Sequence, residues 1–376
     1  MNFYLKKRIY FPQSQNQKLK LLIISASIVS LAAYLSVQKF SPEHSLSYSD
    51  NMIKSVQIME RALSSIRDYC DNADIPINEP IDPNRTGLIG TEISGIATTL
   101  GNLEAKRTTT NPNFAAIIVQ LLNEAGITSG DTIAIGCSAS FPALMIASLA
   151  ASQAMEVHPI VMISLGASSF GATNPNFNLL DIYKVLLEKN VFTVSPAAIS
   201  LGGDQDIGRD FDPSIRNLLI QQIQASGIPF IFESDLQKNV ALRMKIYEGR
   251  SSRSRISALI NIGGSYANIG ISELVLKVKP GLNKNISIPP KAERGVLFEM
   301  ADRNIPIIHL LYIKGLAMKY GLPWDPIPLP KAEEFEPFNM RSNHKIRSWL
   351  ISIIYFLILI VLFIYGFISK FSPMDR

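Results

Sequence analysis

Residues 130–151, GDTIAIGCSASFPALMIASLAA, decide how the chain is read. Residues 131–135, DTIAI, read as a short, buried strand. Gly136-Cys137-Ser138-Ala139-Ser140 follows as a tight turn of small residues, and residues 142–154 read as a helix with Ser140 as N-cap and Pro142 in the first turn. Strand, small turn and helix in that order build one side of an α/β site. The turn gathers backbone N–H groups and hydroxyls at one point, backed by the positive end of a helix dipole.

The same alternation continues outward. Asn111 and Pro112 open a helix that Gly126 ends, just before the key strand. After the key helix come an apolar strand over 160–165, a loop over 166–171 and a helix over 178–188. Asp212 caps a helix that ends at Gly227, followed by a strand over 228–232, a helix over 235–248 and a strand over 256–262. A helix over 293–302 and a strand over 305–310 complete the series. Short, continuously apolar strands between helices predict an α/β domain over 85–330, a mainly parallel sheet with helices on both faces, Rossmann-like.

The charge belongs to the ends. Residues 1–20 carry Lys6, Lys7, Arg8, Lys18 and Lys20 and no acid, and residues from 341 carry Arg341, Lys345, Arg347, Lys370 and Arg376 against Asp375. These tails hold +5 and +4 of a chain total of +5, which leaves −4 for the residues between them. That distribution argues against a nucleic-acid-binding domain, which concentrates basic charge on the fold itself.

Basic residues beside apolar segments are a membrane signature. The sequence reading therefore sets a basic cytoplasmic tail over 1–18, a transmembrane helix over 19–37 and a second over 349–369, with the lipid bilayer as partner. Ser30-Leu31-Ala32 also resembles a cleavage site, the alternative to the first span. The basic N-terminus favours a two-pass protein of the cell membrane with its main domain extracytoplasmic. Within 45–72, Met52, Val56, Met59, Leu63, Ile66 and Cys70 recur at helical spacing, the stripe of an amphipathic helix packed on the domain rather than a coiled-coil stalk. A Pro-rich linker follows over 74–84.

Three loops resemble one another: GCSAS, GASSFGATN and GGSYAN, each following an apolar strand. Open parallel sheets bind ligands at that edge. Gly136, Cys137, Ser138, Ser140, Ser168, Ser169, Gly263, Gly264, Ser265 and Asn268 are the ligand-binding candidates there. The loop over 202–212 adds Asp204, Asp206 and Arg209 as substrate contacts, while Gly208 and Ile215 stand where a calcium loop needs ligands. Arg243, Lys245, Arg250, Arg253 and Arg255 form a basic run, either a solvated helix end or a polyanion patch. Gly136-Cys137-Ser138-Ala139-Ser140 also resembles the nucleophile elbow G-x-S-x-G with Ser140 in place of the last glycine, which makes Ser138 the catalytic candidate. Of the four histidines, His44, His158 and His344 lie away from that edge and only His309 is in reach of it. Cys70 and Cys137 have no metal-finger spacing, and the reading assigns no metal and no cofactor.

The chain resembles the bacterial poly-gamma-glutamate system protein family in its N-terminal anchor and in the stretches GDTIAIGCSASFPALMIASLAA, VMISLGASSFGATNPNF and INIGGSYANIG. The resemblance implies work in capsule or secreted-polymer biosynthesis, beside poly-gamma-glutamate synthase or export components. Two function classes follow. One is a membrane-anchored accessory protein that binds an anionic polymer or a synthase partner. The other is a serine-dependent hydrolase or transferase acting on gamma-glutamyl polymer through Ser138.

Overall fold

The computed structural model describes residues 13–39, 46–251, 255–336, 349, 352–364 and 367. They fall into two compact units, one of the two chain ends and one spanning Ser47–Pro337. In the first, helix α1 (Gln13–Lys39) and the helical residues 352–364 meet through Ser30 Oγ and Tyr355 Oη, 3.0 Å apart.

No helix among the described residues is long and apolar enough to cross a membrane. This corrects the two expected spans. Helix α1 carries Gln13, Gln15, Asn16, Gln17 and Lys18 ahead of the expected span, which itself holds one charge, Lys20. The second helix is described over 352–364 and at 367. Lys6, Lys7, Arg8, His44, Arg253, Arg341, His344, Lys345, Arg347, Lys370, Asp375 and Arg376 lie outside the described residues.

Ser47–Pro337 is an α/β unit. Helix α2 (Leu46–Asn72) buries Met52, Val56, Met59, Leu63, Ile66 and Cys70. Strand β1 (Ala97–Thr99), helix α3 (Leu103–Thr109) and helix α4 (Asn113–Ala125) precede the key strand β2 (Thr132–Ser138) and helix α5 (Pro142–Ala154). Then come β3 (His158–Ser164), the short β4 (Ala167–Ser168) paired with β1, α6 (Leu179–Glu188) and β5 (Ala198–Ser200). Helix α7 (Pro213–Ala225), β6 (Phe230–Ile231), α8 (Leu236–Arg250) and β7 (Ala258–Ile262) follow. Strand β8 (Gly281–Asn283), α9 (Val296–Asp302), β9 (Ile307–Leu310) and α10 (Ile313–Tyr320) close the unit.

The main sheet runs β8-β9-β7-β2-β3-β5-β6, parallel throughout except at the β8 edge. Successive strand residues face opposite sides of a sheet. Ala134, Met162 and Leu259 pack with α8 and α9. Their neighbours Ile133, Ile135, Val161 and Ile163 are equally buried, so both faces are covered.

Strand β2 is longer than its apolar run. Gly136, Cys137 and Ser138 remain in the ladder, Ser138 opposite Ser164 and Cys137 opposite Ile163 and Ile262. Small residues suit this place because Asn268 presses on it, and a Cβ at Gly136 would lie 2.7 Å from Asn268 Nδ2. The turn begins at Ala139. Ser138 is the last residue of a regular strand, and it has no positive φ, so the sharp elbow expected at this serine is absent.

Candidate functional site

The strand order fixes where ligands can enter. From β2 the chain winds through β3, β5 and β6 on one side, then crosses back to β7 on the other. The carboxyl ends of β2 and β7 therefore diverge, and an open parallel sheet has its crevice at such a switch point. Ser138 ends β2, and Gly263 follows β7. A cavity of about 820 Å³ lies here.

Of the sequence-derived candidates, Ser138, Ser140, Ser168, Asp204, Gly263, Gly264 and Ser265 line this cavity. Three loops from separate strands thus meet at one edge, joined by the loop after β5. The hydroxyls of Ser138 and Ser265 are buried in its wall without a hydrogen-bond partner among the described residues. Gly263 adopts φ +78°, and a Cβ there would stand 2.3 Å from Ser138 Oγ, so only glycine lets the β7 loop close on Ser138.

Ser140 does not cap α5. Its Oγ accepts the N–H of Ser168 (3.0 Å), which ties two loops together. The N-cap is Phe141, without a side-chain capping bond, so the positive end of a thirteen-residue helix stands beside the cavity without a side-chain cap from that residue.

The remaining candidates are held elsewhere. Gly136 and Cys137 are inside the sheet, and burial pushes the Cys137 thiol far above its ordinary range, which removes it as a nucleophile. Ser169 Oγ donates to Thr99 O (3.3 Å). Asn268 is buried against Gly136 with neither amide atom partnered among the described residues. Arg209 is exposed, 4.0 Å from Asp204. Asp206 is fully buried and bound by Arg243, Asn239 and Ser200, which fixes the loop after β5 from below. Arg243 thereby leaves the expected basic surface run.

His309 offers Ser138 no base. It is buried, does not line the cavity, and its Nδ1 lies 3.0 Å from Asn261 Nδ2. Burial lowers its pKa to about 4.

The residue that sequence reasoning missed is Lys106, on α3. Only 2% of it is exposed, yet it lines the cavity. Its Nζ donates to Ser140 O and to Ser168 Oγ (2.6 Å), and lies 3.8 Å from the centre of the Phe141 ring. No carboxylate pairs with it among the described residues. Desolvation alone lowers its pKa to about 7, so both charge states are populated near neutral pH. In the sequence Lys106 stands between Glu104 and Arg107 and reads as one charge of a solvated helix.

The chain matches no family model, no curated protein and no solved structure.

The outer cavity has a different character. Tyr266, Tyr312 and Trp324 line it, with Lys314 Nζ 5.8 Å from the Trp324 ring centre. Tyr312 is 64% exposed and sits in the left-handed region at φ 59°. Asp204 and Asp210 lie on the wall beside the β5 loop, where Asp210 accepts the N–H of Asp204 (2.7 Å). Among the described residues no group of His, Cys, Asp or Glu is placed to hold a metal ion.

Proposed function

We propose that this protein binds an acidic, carboxylate-bearing ligand in the switch-point cavity, as an accessory component of poly-gamma-glutamate biosynthesis or export. The observation that carries the reading is the buried, unpartnered hydroxyl of Ser138 beside the uncapped start of α5. A buried donor without a partner costs free energy unless a ligand supplies the acceptor. An anion there gains the Ser138 and Ser265 hydroxyls, the helix dipole and the charged fraction of Lys106. The aromatic rim suits the methylene chain that links the charges of a gamma-glutamyl polymer. The polymer's identity comes from the resemblance of the three quoted stretches, and the preference for an anion comes from the part of the wall formed by Lys106, Ser138, Ser265 and the start of α5.

Titration calorimetry of the full chain with a short gamma-glutamyl oligomer tests the proposal. Ser138→Ala removes one hydrogen bond to a charged group, about 1.5–3 kcal/mol, and weakens binding roughly tenfold to a hundredfold. No binding by the wild type, or equal binding by Ser138→Ala, overturns the reading.

A further inference from the structure

Lys106 and Ser168 come from distant parts of the chain and meet in the wall of the cavity. The Nζ–Oγ distance is 2.6 Å, within the reach a base needs to take a serine proton. A third group orients the base, since Ser140 O accepts one Nζ–H. The same serine holds the nucleophile's backbone, because Ser140 Oγ accepts the N–H of Ser168. Ser168 is further fixed by the β1–β4 pairing, where Thr98 Oγ1 donates to Ala167 O (3.1 Å). Nucleophile, base and orienting group in this relation are the signature of an activated serine. Ser138 lacks it, having no partner at all among the described residues.

We propose that Ser168 is a catalytic nucleophile and Lys106 its general base, in an acyl-transfer site that takes an amide or ester. The inference takes from the reading above only the cavity as the place of the ligand. Neutral Lys106 accepts the Ser168 Oγ–H proton while Oγ forms a bond to the carbonyl carbon and the carbonyl electron pair moves onto oxygen. That oxyanion collapses, the bond to the leaving nitrogen or oxygen breaks, and the Lys106 ammonium returns the proton to the leaving group. Water then attacks the Ser168 ester, its proton passes to Lys106, and the ammonium gives it back to Ser168 Oγ as the acid departs. The unpartnered Ser138 and Ser265 hydroxyls of the same wall are the donors on hand for the oxyanion.

An alkyl fluorophosphonate tests this on the full chain. Ser168 Oγ attacks phosphorus, fluoride leaves, and peptide mass mapping locates the adduct. The expected result is one adduct, on Ser168, forming faster as pH rises through about 7, where Lys106 loses its proton. Lys106→Arg keeps the charge but cannot give up a proton near neutral pH, so labelling slows roughly hundredfold to ten-thousandfold. Should that variant fail to fold, the wild-type pH profile and Ser168→Ala, which loses the adduct, still decide. An adduct on Ser138, or a labelling rate independent of pH between 6 and 8, overturns the inference. Oligomer binding without a Ser168 adduct overturns the dyad and leaves the binding reading. A Ser168 adduct without oligomer binding supports the dyad and overturns the binding reading.

Discussion

Arg243 Nη2 stands 2.7 Å from Asp206 Oδ2, and neither side chain reaches solvent. The pair joins α8 to the loop that carries Asp204 into the cavity. Removing one member of such a pair leaves an uncompensated buried charge, which costs about 3–5 kcal/mol. Arg243→Met should lose that much in urea unfolding of the full chain. Adding Asp206→Asn, which neutralises the stranded carboxylate, should restore part of it. A double variant no more stable than Arg243→Met would show that the carboxylate is not what destabilises the single one.

Gly263→Ala should destabilise for two separable reasons. The left-handed backbone costs an L-residue about 1–2 kcal/mol, and the new Cβ meets Ser138 Oγ at 2.3 Å. Ser138→Ala removes only the second, because the two Cβ atoms then sit 3.5 Å apart in ordinary contact. Thermal unfolding of both single variants and the double should give a coupling of about 1 kcal/mol in favour of the double. Strict additivity would mean that the loop moves away instead.

The strands legible in the sequence are those whose burial is written as mainly apolar stretches, such as 131–135 and 256–262. Strand β5 is three residues beside Pro196, too short for any periodicity, and β8 is equally brief. Gly136-Cys137-Ser138 reads as a turn because small polar residues punctuate chains, yet here they are small to admit Asn268. The glycine and serine loops of the site could be read because their order after strands places them on one edge. Lys106 could not, since its burial depends on Phe141, Ser140 and Ser168, none of them near it in sequence. The apolar ends read as spans, whereas no helix among the described residues is long and apolar enough to cross a membrane.

His309 should make the fold acid-sensitive. Its native pKa is lowered to about 4 by burial, while the unfolded chain titrates near 6.5. Between those values the unfolded state binds the proton and the native state does not, so stability falls as pH drops from about 6.5 to 4. The loss is about 3 kcal/mol at most for a shift of this size. His309→Gln should flatten that part of the stability profile in urea unfolding. Parallel profiles for variant and wild type would mean that His309 is protonated within the native state.

Lys106 should impose the opposite slopes on folding and on binding. Its native pKa, lowered to about 7 by desolvation, lies below the ordinary lysine value of 10.5. From about pH 7 to 10.5 the unfolded chain holds a proton that the native chain has released, so this residue's contribution to stability rises with pH across that window. An anion in the cavity favours the ammonium and draws a proton back. Oligomer affinity should therefore fall as pH rises above 7, and calorimetry in buffers of different ionisation enthalpy should register proton uptake at pH 7.5. Lys106→Met removes both effects, because it keeps the buried stem and loses the charge. Equal oligomer affinity at pH 6 and pH 8, with no buffer-dependent heat, would mean that Lys106 does not face the bound ligand.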